Sequence, residues 1–181
     1  MNKAEWFRPP DPHYDSDYGM LPKIKTILYC TSLGPHAPYI FGYACTLASS
    51  LDARIVALHV VETLNTKQKT LVDKYAGTGH LAELLSRVEH KAATEIPDQM
   101  RSILASVSGE EHWERLVKEI VIAEGRTETQ ILKHVDSRNA DLVVIGAHTE
   151  GSVMDRLIGT TARSLVKSSP VPVLTVQVPG G

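Results

Sequence analysis

Between Arg54 and Val61 the chain reads RIVALHVV, an apolar run that hardly alternates with polar residues. A strand with one wet face alternates, so this run describes a strand buried on both faces. Such strands belong to parallel sheets with helices packed on either side. Other short apolar runs read as strands as well: IKTILYC from Ile24, RLVKEIVIAEG from Arg115 to Gly125, DLVVIG from Asp141 and PVPVLTVQV from Pro170. Between them the period changes to that of a helix. Ile40, Phe41, Ala44, Leu47, Ala48 and Leu51 form one apolar stripe, and Leu81, Leu84, Leu85, Val88 and Ala92 form another. The second is expected to be kinked or split at Pro97 before Met100, Ile103 and Leu104 continue it. Thr127 with Gln130 three residues on predicts a capping box for a helix carrying Ile131, Leu132 and Val135. Ser152 to Ser168 reads as helix with a break at Gly159, and Glu62 to Gly79 reads as a polar loop.

Strands alternating with helices predict βαβ units and a mainly parallel sheet covered on both faces. Ligands of such sheets bind beyond the carboxyl ends of the strands, where the strand order reverses. The loops at Thr31–Pro38, Val61–Thr63, Gly125–Thr127 and Gly146–Ser152 should therefore share one rim. Residues 1–22, broken by Pro9, Pro10 and Pro12, read as an N-terminal extension, and residues 23–181 as a single domain.

Composition narrows the functions. The formal net charge is -2 with no dense Lys/Arg run, which offers no footprint for nucleic acid or an anionic membrane. No apolar run approaches the roughly 20 residues of a membrane helix. The first twenty residues lack the apolar centre of a signal peptide, so a cytoplasmic location is expected. Cys30 and Cys45 are too few for a disulfide framework or a metal-ligand set and are expected to be reduced. The histidines lack metal-ligand spacing, and no metal centre is expected. His59, inside a strand run, is expected to be a packed residue with a satisfied ring nitrogen, and Cys30 a buried thiol.

The loop after the fourth strand carries most of the chemistry. Gly146, Gly151 and Gly159 are free to take positive φ or to let backbone approach a ligand closely. Thr160 is placed to cap the helix that follows, whose N-terminus would favour an anion such as phosphate. Thr160 and Thr161 add hydroxyl donors. GAHTEGSV has the glycine spacing of a P-loop, but Ser152 and Val153 stand where Lys and Ser/Thr are required, so it is not one. The G-x-G-x-x-G dinucleotide fingerprint is absent too. On spacing alone, a plain turn and helix break accounts for these glycines as well as a phosphate cradle does.

Gly146-Ala-His-Thr149, the nine residues Glu150 to Ile158, and then Gly159-Thr160 resemble the hallmark of the universal stress protein family, G-x-x-G, nine residues, G-[S/T]. The ending SLVKSSPVPVLTV and the runs ALHVV and ADLVVIG are similar to that family as well. The resemblance spans about Ile24 to Val178. It implies an α/β fold with a doubly wound five-stranded parallel sheet, order 3-2-1-4-5, of the adenine nucleotide α-hydrolase-like kind. It also implies a stress-response homodimer paired through the C-terminal strand Val171–Val178. Some members bind ATP or AMP, with any Mg²⁺ arriving only with the nucleotide, and others bind none and act through protein partners. On the binders' pattern, Gly146, His148, Thr149, Gly159, Thr160 and Thr161 face phosphates and ribose, Val60 meets the adenine through its backbone, and Thr31 and Ser32 close the first-strand side. Two positions depart from the pattern. Thr149 replaces the second glycine, and Ser32 stands where binders carry Asp. An enzyme, such as a slow ATPase, is the weaker expectation. TSLGPHAP lacks the pyrophosphate loop of related enzymes, and no catalytic residue is assigned.

Overall fold

The computed structural model describes residues 22–62, 94–107, 110–147 and 159–178. Five strands, β1 (Thr26–Thr31), β2 (Arg54–Val61), β3 (Val117–Glu124), β4 (Leu142–Gly146) and β5 (Val173–Val176), form one sheet in the order β3-β2-β1-β4-β5. Every pairing is parallel, from Thr26↔Arg54 to Thr31↔His59 between β1 and β2 and from Ile27↔Leu142 to Cys30↔Ile145 between β1 and β4. β3 and β5 are the edges. The chain winds outward from β1 in one direction to β3 and in the other to β5, so the order reverses between β1 and β4.

The helices are α1 (Ala37–Leu51), α2 at residues 94–107, α3 (Glu110–Leu116), α4 (Thr127–Ser137) and α5 (Thr160–Ser168). Alternation along the strands divides the core into two layers. Ile27, Tyr29, Ile55, Ala57 and Val144 pack with Phe41 of α1 and with Ile96, Met100 and Leu104 of α2. Leu28, Cys30, Val56, Leu58 and Val143 pack with Ile131 and Val135 of α4 and Leu165 of α5 on the opposite face. Ile55 to Leu58 are therefore uniformly apolar because both faces of β2 are covered there. Tyr29 joins β1 to the start of α1: its ring meets Phe41 at 5.2 Å, and its hydroxyl donates to the Ala37 carbonyl at 2.9 Å. At the opposite end of the sheet the Asp141 carboxylate accepts the N–H groups of Lys25 and Thr26, each at 2.8 Å, and so ties the start of β4 to that of β1.

Some local expectations are corrected. Arg115 and Leu116 end α3 instead of opening the third strand, because Leu116 reaches the core from a helix. Residues 94–107, Pro97 among them, are helical throughout, and the stretch before them on which the expected kink or split depends lies outside the described residues. The last strand is shorter than PVPVLTVQV, and Leu51 is exposed. The expected capping box does not form. Arg126, extended at φ -73 and ψ 124, is the N-cap of α4, which makes Thr127 the first helical residue and shifts the motif by one. The loop expected at 62–79, apart from Glu62, and the helix carrying Leu81 to Ala92 lie outside the described residues, as does the extension apart from residue 22.

Candidate functional site

The rim begins where β1 ends. The Thr31 hydroxyl accepts the backbone N–H of Leu33 at 3.0 Å, which folds the chain back at once. Leu33 takes a left-handed conformation at φ 63, a cost of about 1–2 kcal/mol for an L-residue. Its side chain packs against the α1-side core, leaving Ser32 exposed between two fixed neighbours. The Thr31 carbonyl bonds Nδ1 of His59 at 2.9 Å. A carbonyl only accepts, so Nδ1 carries the proton and the neutral ring keeps Nε2 as an acceptor. Burial holds the His59 pKa below its ordinary value, partly offset by that bond to Thr31. His59 is thus packed and satisfied, as expected. Cys30 is buried, and desolvation pushes its thiol pKa strongly upward.

β2 runs two residues past its last pairing with β1. The Val61 carbonyl accepts the Gly125 N–H at 3.0 Å, on the β3 side. Successive carbonyls of a strand point to opposite sides, so the Val60 carbonyl is directed to the β1 side, where the ladder has ended. Gly125 itself takes φ 129, a conformation that favours glycine.

Gly146 ends β4. Positive φ is not what it supplies; an added Cβ would stand 2.7 Å from Cδ1 of Ile40, so the requirement is space for α1. The next residue, Ala147, is a double junction. Its N–H donates to the Val176 carbonyl at 2.8 Å, and its carbonyl accepts the Gly159 N–H at 2.6 Å. The start of α5 is thereby fastened to the end of β4. Gly159 is the N-cap at φ -55, so it too does without positive φ, and no side chain caps the helix. Thr160 is the first helical residue rather than the cap. The first intrahelical bond runs from the Arg163 N–H to the Gly159 carbonyl at 2.9 Å. The N–H groups of Thr160, Thr161 and Ala162 consequently have no partner within the helix, and the first turn holds no acidic residue. That arrangement suits an anion.

The fold thus gathers Thr31, Ser32, Val60, Gly146, Gly159, Thr160 and Thr161 at the carboxyl ends of the strands, around the switch point between β1 and β4. His148 and Thr149 lie outside the described residues. Sequence reasoning missed Ile40 and Ala147, whose roles depend on contacts distant in the chain. It also missed two carboxylates. Glu62 accepts the Thr127 hydroxyl at 2.5 Å, and Glu128 accepts the Ser164 hydroxyl at 2.5 Å. Among the described residues no cluster of three or more His, Cys, Asp or Glu could hold a metal, and no helix is long and apolar enough to cross a membrane.

Five parallel strands in this order with helices on both faces define a doubly wound α/β protein of the adenine nucleotide α-hydrolase-like fold. Residues 23–177 match the universal stress protein family, and the chain belongs to that family. It is 21% identical over 154 residues to universal stress protein MJ0577 of Methanocaldococcus jannaschii, covering 84% of this chain and 94% of that one. The universal stress protein UspA from Lactobacillus plantarum superposes with a TM-score of 0.61 at 22% identity, over 86% of this chain and 99% of that one. A universal stress protein solved in complex with cAMP superposes with a TM-score of 0.55 at 13% identity, over 86% and 98%.

Proposed function

We propose that this universal stress protein binds an adenine nucleotide, ATP or AMP, across the carboxyl ends of β1, β2 and β4. The observation that carries the reading is the first turn of α5. Its three N–H groups lack helical partners, and Ala147 ties it to the end of β4 beside the switch point. Hydrogen bonds to a charged group are worth about 1.5–3 kcal/mol each, so a phosphate at this turn would dominate the affinity. In this reading Gly146, His148, Thr149, Gly159, Thr160 and Thr161 receive the phosphates and ribose. The Val60 carbonyl meets the adenine amine, and Thr31 and Ser32 border the base. A similar structure that holds cAMP supports an adenine nucleotide over other anions. Any Mg²⁺ comes with the nucleotide rather than residing in the protein.

The protein acts in the cytoplasm as a homodimer paired through Val171–Val178. β5 is an edge strand of apolar composition, and such an edge tends to find a partner. Sedimentation showing a monomer at micromolar concentration would remove the dimer from this reading.

A second reading is a protein-interaction module that has no nucleotide. Ser32 favours it, since an exposed hydroxyl stands where binders carry a carboxylate. Calorimetric titration with ATP and AMP, together with mass spectrometry of ligand released from denatured protein, separates the two. Heat on titration or a co-purifying nucleotide supports the site. No heat, no thermal shift at millimolar ligand and no released nucleotide would leave the interaction module. Slow ATP hydrolysis is the weaker addition and predicts turnover that His148→Ala abolishes.

A further inference from the structure

Glu128, in the first turn of α4, gathers donors from two elements. Ser164 donates to its carboxylate at 2.5 Å and Ser168 at 3.2 Å, both from α5, and Arg126 pairs with its other oxygen. The Glu128 side chain is only 17% exposed and Ser164 is half-buried, while Arg126 is 74% exposed and Ser168 is exposed too, so Ser164 makes the sheltered contact of the cluster. The preceding residue faces another way. The Thr127 hydroxyl donates to the carboxylate of Glu62, which follows β2 directly. One helical turn is therefore bonded at one residue to the end of β2 and at the next to α5.

Those two elements carry opposite ends of the proposed nucleotide site, Val60 on β2 and Thr160–Thr161 on α5. The Gly159–Ala147 bond fastens the start of α5 to β4, and Ala162 and Leu165 bury its inner face, but neither ties the following turn to α4. The Ser164 hydroxyl donates to the Glu128 carboxylate outright, and Ser168, one turn on, shares its single proton between that carboxylate at 3.2 Å and the Ser164 carbonyl at 3.0 Å, so the contact resists turning of this part of α5.

We infer that Thr127 and Glu128 are positioning residues that set the first turn of α5 against the end of β2, an inference that rests on the nucleotide reading and deepens it. Neither touches the nucleotide. Glu128 acts through Ser164, and Thr127 acts through Glu62.

The test uses the full chain, with ATP affinity measured by calorimetry for wild type, Glu128→Ala, Ser164→Ala, the double variant and Ser164→Thr. Amide hydrogen exchange of the ligand-free proteins is followed in parallel. Glu128→Ala and Ser164→Ala are each expected to weaken ATP binding by about three- to thirtyfold. The double variant is expected to be no weaker than the worse single variant, because both break one contact. Ser164→Thr, which keeps the donor, should stay within about twofold of wild type. In the ligand-free proteins Glu128→Ala should speed exchange at Arg163 to Leu165 by about tenfold and leave α1 unchanged. ATP affinities within about twofold of wild type for both alanine variants, or losses that simply add in the double variant, overturn the inference. If wild type binds no ATP, the nucleotide reading fails by itself. The exchange measurement then decides the positioning role, and unchanged exchange at Arg163 to Leu165 overturns it.

Discussion

Ile40 and Gly146 compete for one volume: Cδ1 of Ile40 lies 2.7 Å from where a Cβ on Gly146 would stand. The first glycine of the family hallmark is thus required by the packing of α1 on the sheet. Gly146→Ala is expected to destabilise by about 1–3 kcal/mol, toward the lower figure because the clashing atom is the mobile end of a side chain. Ile40→Val removes that atom and should relieve most of the loss in the double variant, as read by chemical denaturation. A Gly146→Ala penalty just as large in the Ile40→Val background would show that backbone freedom, and not space, is what the glycine supplies.

Thr31 and Leu33 make a similar local bargain at the end of β1. The left-handed Leu33 is held by its N–H bond to the Thr31 hydroxyl and by packing of its side chain. Thr31→Val keeps the shape and loses the acceptor, with an expected cost of about 0.5–1.5 kcal/mol. Thr31→Ser keeps the acceptor and should remain near wild type. Equal denaturation midpoints for Thr31→Val and wild type would mean that the turn is held by Leu33 packing alone.

These two contacts also show what could be read in the chain itself. β1, β2 and β4 are legible because burial on both faces forces continuous apolar runs, and the glycines at the ends of the hallmark mark the end of β4 and the start of α5. Strand order and family followed from motifs spread along the whole domain. Boundaries were harder. Leu116 serves the core from a helix, and an apolar residue beside a strand run does not say which element holds it. Thr127 has a capping-box partner in Gln130, but its hydroxyl goes to Glu62, 65 residues away. The reason Gly146 must be small lies in Ile40, on another element. Local patterns are silent about such pairings.

At the edge of the sheet, Arg138 and Glu119 form a bidentate pair, with Nε to Oε2 at 3.1 Å and Nη2 to Oε1 at 2.8 Å. The Arg138 hydrogen bond holds the Glu119 pKa below its ordinary value of 4.5. A lowered folded-state pKa gives stability that is full above the unfolded value and lost as pH falls through the folded one. The pair is partly exposed, so solvent screening keeps its worth to about 0.2–1 kcal/mol. Glu119→Gln should therefore be slightly less stable than wild type near neutral pH. The two melting temperatures should converge as the pH falls below about 4. A gap that stays constant through that range would assign the difference to packing of the Glu119 stem and not to its charge.

Ser32 offers the most direct probe of where a base would sit. It is exposed on the rim, flanked by Thr31 and the left-handed Leu33, so a longer side chain there has room and a fixed starting point. The family resemblance implies Asp at that position in members that bind a nucleotide. A hydrogen bond to a charged acceptor is worth about 1.5–3 kcal/mol, which corresponds to roughly ten- to hundredfold in affinity. Ser32→Asp is therefore expected to tighten AMP and ATP binding by about that factor, measured by calorimetry at fixed salt. Adenosine should gain as much as ATP, because the new contact is to the base or ribose. A gain for neither ligand would move the base away from Ser32. A loss confined to ATP would instead put the phosphates, with their like charge, beside β1.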